Sequence, residues 1–459
     1  MLTSEAVQQL RATLRGPLVG PGDTGYDPAR TLYNAMIDKR PALIAQCRDA
    51  ADVISAVRFA RENELVVAIR GGGHNGAGLG SVDDGLVIDL SPMKGIRVDP
   101  RAKTVRVQGG CTWGDVDHAT HAFGMATPSG ILATTGVGGL TLGGGIGNIT
   151  RTCGLTIDNL LEVDLVLADG TFVTANAQEH PDLFWALRGG GGNFGVVTSF
   201  LFKLHPISTV YGGPMFFELA DATSVMRWWH AFILEAPENI NGYFGLHTVP
   251  PAALFPQEHH LKKMGVIVWT YTGDMSQAEE ALQPIRSFRK PAIDYVGPIS
   301  FPALQGLFDA LYPPGLQWYW NADFFTELSE TAMDLHVEHF TQTPGVLSAM
   351  HLYPVNGAAH RVGRNDTAWN YRDANFAQVI VGVDPDPANK GPITRWSTEY
   401  WQALHPHSAG GAYVNMMMDE GLERVRAAYR DNYQRLAEIK ARYDPTNFFH
   451  INQNIRPAA

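Results

Sequence analysis

The sequence predicts an α+β protein with two unlike parts: a glycine-rich first part of short strands and helices, then an antiparallel sheet backed by helices. Three observations carry this. Glycine falls mainly before about residue 207, in clusters at 71–80, 136–147 and 189–195. Tryptophan is biased the other way, since only Trp113 and Trp185 precede residue 207. Short apolar runs alternate with helical patterns in the first part, whereas longer strand-like runs separated by helices fill the second. A chain of 459 residues has room for two or three domains, and the composition shift places a boundary near His205-Pro206.

In chain order, Ala51–Ala60 repeats apolar residues at helical spacing and leads into an apolar strand, Leu65–Ile69. Strands are expected at 85–90, 104–107 and 163–168, the last turning at Asp169-Gly170 into Thr171-Phe172-Val173. In the second part, 265–271, 316–325, 346–355 and 375–383 read as strands, with helical stretches around 221–235 and 326–342 between some of them. An antiparallel sheet is their simplest assembly. Residues 419–442 are helical by period and stop at Tyr443-Asp444-Pro445-Thr446-Asn447.

Composition narrows the function. A formal net charge of -11 disfavours nucleic acid as a partner. No apolar run approaches the roughly 18 residues of a membrane span, and the first residues lack the basic flank and apolar core of a signal peptide. Three cysteines, Cys47, Cys111 and Cys153, make no disulfide framework and suit a reducing cytoplasm. The closely spaced histidine pairs (His259/His260, His336/His339, His405/His407) lack cysteine or carboxylate companions at ligand spacing, so no metal site is expected. Nothing points to a protein partner.

The chemistry concentrates in the glycine clusters. Arg70-Gly71-Gly72-Gly73-His74-Asn75-Gly76 follows a strand and has almost no side chains except the histidine. Such a loop is either a tight surface turn or a nest of N–H groups around an anion, with His74 within bonding distance of a phosphate-bearing cofactor. The second cluster, Gly136-Val-Gly138-Gly139-Leu-Thr-Leu-Gly143-Gly144-Gly145-Ile-Gly147, is too rich in glycine for a packed core element. No clean strand precedes it, which argues against a nicotinamide-type dinucleotide site. With the third cluster, 189–195, it implies a large, extended cofactor touched at several places.

These motifs, with Gly154-Leu-Thr-Ile-Asp-Asn-Leu-Leu161 and the C-terminal run from Asn432-Tyr433 through Tyr443-Asp444-Pro445-x-Asn447-Phe448-Phe449 to Asn452-Gln453-Asn454-Ile455, resemble the berberine-bridge-enzyme-like branch of the vanillyl-alcohol oxidase and p-cresol methylhydroxylase flavoproteins. The resemblance covers nearly the whole chain. It implies FAD on a PCMH-type FAD-binding domain of two α+β subdomains (1–207), a substrate domain (208–412) and a C-terminal segment (413–459) that returns to the first domain.

By the resemblance, Arg70 and the backbone of Gly71, Gly72, Gly73, Asn75 and Gly76 hold the pyrophosphate, and His74 bonds covalently to the flavin. Thr134, Thr135, Gly138, Gly139, Gly143, Gly144, Gly147 and Val197 belong to the cofactor site, with Asn452 and Asn454 along the flavin edge. Some relatives carry a second covalent link through a cysteine at the position of Leu132 here. One bond is therefore expected, and Cys153 reads as a small packed residue. Thr135 takes the position that gates oxygen in relatives and is about the size of the permissive valine. This implies an oxidase that passes electrons to O2 and releases H2O2; a dehydrogenase with another acceptor and a flavin binder without turnover are the alternatives.

Hydride removal needs a base. The Tyr-x-Asn-Tyr motif of relatives stands here as Tyr413-Val414-Asn415-Met416, which makes Tyr413 the leading candidate and Asn415 its orienter; Gln378 and Tyr371 are the others. Period-two spacing puts Trp318, Trp320 and Phe324 on one strand face, and His351 and Tyr353 on one face of the next strand. They either line an aromatic pocket for a small ring-bearing alcohol, hemiacetal or amine, or pack between sheet and helices.

Overall fold

The computed structural model describes residues 2–459 as three β-sheets with helices packed against them. The first sheet comprises β1 (Leu18–Val19), β2 (Leu43–Gln46), β3 (Val67–Arg70) and β4 (Leu86–Asp89) in the order β1-β2-β4-β3. β4 pairs in parallel with both β2 and β3. The helix Ala50–Glu62, capped by Asp49, is the crossover between β2 and β3, and buries Val53, Ala56, Val57 and Ala60 against them.

The second sheet is antiparallel: β5 (Ile96–Asp99), β6 (Thr104–Gln108), β7 (Leu160–Val166), β8 (Phe172–Asn176) and β9 (Val196–Lys203), in the order β5-β6-β9-β7-β8. Gly170, at φ +79°, makes the β7–β8 turn.

After β9 the chain enters an eight-stranded antiparallel sheet. Its strands are β10 (Thr209–Glu218), β11 (Ile240–Thr248), β12 (Lys263–Tyr271), β13 (Ile293–Asp294), β14 (Gly297–Ser300), β15 (Gln317–Phe325), β16 (Ala349–Pro354) and β17 (Phe376–Asp384). One face packs on the helices Ala222–Glu235, Glu330–Phe340 and Lys390–Leu404 through Trp229, Phe244, Phe376 and Tyr400. The other face turns to the glycine-rich part.

Several details differ from the sequence reading. β10, β11 and the helix Lys390–Leu404 were not expected. β10 is apolar on both faces, β11 is buried on both, and both carry glycines inside, which blurs the alternation that marks a strand. The second glycine cluster does contain a packed element: Val137–Leu142 is a short helix with Val137, Thr141 and Leu142 buried. The C-terminal helical run is two helices, Leu422–Tyr429 and Asn432–Tyr443, broken at Arg430 with φ +45°. Both pack into the core of the second sheet, with Leu436, Ile439 and Ile455 beside Phe194 and Phe200.

Two buried cations join the parts. Among the described residues Arg151 has no carboxylate partner; its guanidinium donates to the carbonyls of Ala236, Pro237 and Ile240 and to Asn356 Oδ1 (2.8 Å), at the C-terminal end of the helix Ala222–Glu235. Arg372 pairs with Asp158, Nη2 to Oδ1 at 2.6 Å, where both side chains are almost fully buried.

Candidate active site

A cavity of about 340 Å³ lies between the glycine clusters and the free face of the large sheet. The glycine wall depends on close backbone crossing. A Cβ on Gly72 would stand 2.5 Å from the Gly136 nitrogen, and one on Gly136 would stand 2.4 Å from the Gly72 nitrogen. No side chain fits there, so the first and second clusters meet backbone to backbone. The third hangs on the second: Gly189 and Gly191 both donate to the Leu142 carbonyl, at 3.1 and 2.9 Å.

Arg70 lines the cavity, but its guanidinium is committed to Asp89 (Nη2 to Oδ2, 2.7 Å; Nε to Oδ1, 3.2 Å) and to the Ala29 carbonyl. It anchors the loop, and its charge is matched by Asp89. His74 lies on Tyr33, with ring centroids 3.8 Å apart and planes at 17°. Burial lowers its pKa to about 4, against a hydrogen bond to the Thr134 backbone. The imidazole is therefore neutral at physiological pH, with a lone pair available. Asn34 ties this loop to the sheet, donating to the Gly76 carbonyl (2.8 Å) and accepting from the Trp318 N–H (3.1 Å).

The C-terminal segment closes one side. Lys440, wholly buried, donates to the carbonyls of Asn193 (2.5 Å) and Phe449 (2.9 Å) and pairs with Asp444 at 2.7 Å. Asn452 then reaches the Gly192 carbonyl at 3.2 Å. Its Oδ1 has no partner among the described residues, and neither has the Tyr429 hydroxyl; both residues line the cavity. A glycine cradle with partnerless polar atoms facing it fits a large polar cofactor such as FAD.

Gly71, Gly72, Gly73, His74, Asn75, Thr135, Gly138, Gly139, Val197 and Asn452 all line the cavity. Gly76, Thr134, Gly143, Gly144, Gly147 and Asn454 are not among its lining residues. Gly76 lies under Trp320, and Gly143 under Asn415, where a Cβ would come within 2.4 and 2.1 Å.

Tyr413 and Asn415 line the cavity and are bonded to each other. The Tyr413 oxygen accepts from the Gly145 N–H (2.8 Å) and from Asn415 Nδ2 (2.7 Å), and Asn415 also donates to the Leu140 carbonyl (3.0 Å). Burial raises the phenol to about 12, while these donors work in the other direction. The other two base candidates are misplaced. Tyr371 is outside the cavity, donating to the Ala427 carbonyl at 2.9 Å. Gln378 sits on the opposite sheet face from Val379 and Val381, which do line the cavity. Phe324 shares the face of Trp318 and Trp320 but lies farther along, stacked on Tyr371 at 4.3 Å. It packs among Trp369 and Tyr371 and is not part of the cavity lining.

Trp318, Trp320, His351 and Tyr353 do form the sheet wall. Sequence reasoning missed Tyr33, Tyr243, His247 and Tyr312, which line it too. Alternation of 243, 245 and 247 along β11 would have found two of them, had that strand been recognised.

Comparison with known proteins agrees with this geometry. The FAD binding domain model matches residues 41–176, and the berberine and berberine-like model matches 412–456. An FAD-linked oxidoreductase of Dictyostelium discoideum is 33% identical over 457 residues, covering 99% of this chain and 97% of that protein. The (R)-6-hydroxynicotine oxidase of Paenarthrobacter nicotinovorans is 28% identical over 461 residues, covering 97% of each. The crystal structure of 6-hydroxy-D-nicotine oxidase from Arthrobacter nicotinovorans superposes with a TM-score of 0.87 at 24% identity, over 100% of both chains. The chain thus belongs to the berberine-bridge-enzyme-like FAD-linked oxidoreductases of the vanillyl-alcohol oxidase and p-cresol methylhydroxylase superfamily.

Proposed function

We propose that this protein is an oxidase that carries FAD on a single covalent bond through His74, oxidises a small ring-bearing alcohol, hemiacetal or amine, and returns the electrons to O2 as H2O2. The observation that carries this reading is His74 itself: a neutral imidazole at the head of a glycine cradle, held in orientation by the Tyr33 ring. The flavin supplies the two-electron acceptor. The glycine loops and Asn452 hold it. Tyr413 handles the substrate proton at its phenol oxygen, where Gly145 N–H and Asn415 Nδ2 stabilise the charge that develops on deprotonation. Leu132 and Met416, which stand where relatives carry a cysteine and a tyrosine, give the cavity apolar surface instead. The unpaired cysteines suit a cytoplasmic enzyme.

Acid precipitation of the purified protein tests the attachment. The pellet is expected to stay yellow, and the His74→Ala pellet to be colourless. A colourless wild-type pellet with yellow supernatant refutes the covalent bond. Stopped-flow reoxidation after anaerobic reduction tests the oxidase: fast reaction with O2 is expected, slowed in Thr135→Ile, and sluggish reoxidation of the wild type refutes it.

A further inference from the structure

The sheet wall of the cavity carries a hydrogen-bonded chain of three side chains from β11 and β16. His351 Nδ1 lies 2.5 Å from the Tyr353 hydroxyl, and His351 Nε2 lies 2.8 Å from His247 Nε2. The two imidazoles are also stacked, with centroids 4.8 Å apart. Strand register makes this contact possible. Gly245 pairs directly with His351, and a Cβ there would come within 3.0 Å of both His247 Nε2 and His351 Cδ2. A side chain at 245 would force the rings apart.

The chain's hydrogen bonding is constrained by counting protons. Only one proton fits between the two Nε2 atoms, and only one between Nδ1 and the phenol oxygen. With both imidazoles neutral, the protons run either from Tyr353 towards His247 or back again. In the first arrangement the Tyr353 oxygen is left to accept from the cavity; in the second it is left to donate. Burial keeps both histidines neutral, lowering His247 to about 4 and holding His351, beside His247, well below the ordinary imidazole value. The ionisable groups facing the chain are Tyr243, with its ring centroid 5.0 Å from that of Tyr353, and Tyr312, which raise the Tyr353 phenol further; neither is charged at neutral pH. Among the described residues lining the cavity, Arg70 is the only formally charged one, and it is neutralised by Asp89.

From this we propose that Tyr353, set by His351 and His247, determines substrate specificity by reading a ring hydroxyl on an uncharged aromatic substrate. A hydroxyl both donates and accepts, so it satisfies either proton arrangement. A carboxylate only accepts and an ammonium only donates, and either would be buried against aromatic rings without a counter-ion. This assignment rests on the reading of the cavity as a substrate site, and extends it to the substrate's own chemistry.

The test is calorimetric titration of the flavin-loaded enzyme with three probes: phenol, toluene and benzoate. Phenol is expected to bind about tenfold tighter than toluene, which can neither donate nor accept, the value of one well-made neutral hydrogen bond. Benzoate is expected to bind more weakly than phenol. In Tyr353→Phe the phenol preference over toluene disappears. In Gly245→Ala it shrinks, which keeps the test alive should Tyr353→Phe fold poorly. Benzoate binding as tightly as phenol overturns the proposal, as does a phenol preference that survives both substitutions, or no measurable phenol binding. Failure of the covalent-flavin oxidase reading shows separately, in the colour of the acid pellet and the rate of reoxidation.

Discussion

Asp117 in the helix Trp113–His121 is buried, and neither carboxylate oxygen has a hydrogen-bond partner of good geometry. Burial raises its pKa to about 8, aided by Asp309 and opposed by the nearby Gln305 amide. That amide in turn donates to Ser129 Oγ and to the Gly130 carbonyl, beneath the Gly130–Leu132 stretch of the cavity wall. In the unfolded chain the group ionises near its ordinary value of 3.8. Between that pH and about 8 the folded state therefore binds one more proton than the unfolded state. The stability conferred by the neutral carboxyl is fully present below 3.8 and is lost as pH rises through the folded value. Linkage gives a loss of roughly 1.4 kcal/mol per pH unit, or on the order of 6 kcal/mol across the window. Asp117→Asn keeps the shape and removes the titration. Urea denaturation at pH 5, 6.5 and 8 should show the variant gaining on the wild type by about 4 kcal/mol from the lowest to the highest pH. Parallel stability curves for the two proteins would refute the reasoning and mean that Asp117 ionises normally in the fold.

Gly72→Ala sets a methyl against the Gly136 backbone, which no side-chain movement relieves; it should cost about 3 kcal/mol of stability and abolish flavin retention, read as the ratio of visible to ultraviolet absorbance. Lys440→Met leaves Asp444 buried and unpaired and strands the Asn193 and Phe449 carbonyls, so a loss of about 3–5 kcal/mol in chemical denaturation is expected. If Tyr413 is the base, kcat/KM should rise tenfold per pH unit up to the limit of protein stability, because the phenol titrates near 12, and Tyr413→Phe should lose that slope. Arg151→Met should uncouple the two parts, with unfolding by calorimetry changing from one transition to two, since the four hydrogen bonds of its guanidinium cross between them.

What the sequence determined by itself is local. Glycine runs with one histidine in their midst announce backbone approaching a large cofactor, because no other residue permits that density of positive φ and close contact. Alternation along 316–325 and 346–355 grouped Trp318 with Trp320, and His351 with Tyr353, and all four line the cavity. The likeness to relatives offered Gln378 from a strand that faces the flavin there, without saying which side chains of that strand meet the cavity here, and Gln378 is one residue from Val379, which does. Tyr371 and Phe324 have the right chemistry and the wrong neighbours. Only the tertiary structure decided that Gly72 crosses Gly136, that the Arg70 charge is consumed by Asp89, and that Gly245 makes room for His247 to reach His351 across 104 residues of chain. The physical reason is that these are contacts between segments distant in sequence, set by strand register and sheet placement, and neither periodicity nor composition carries register.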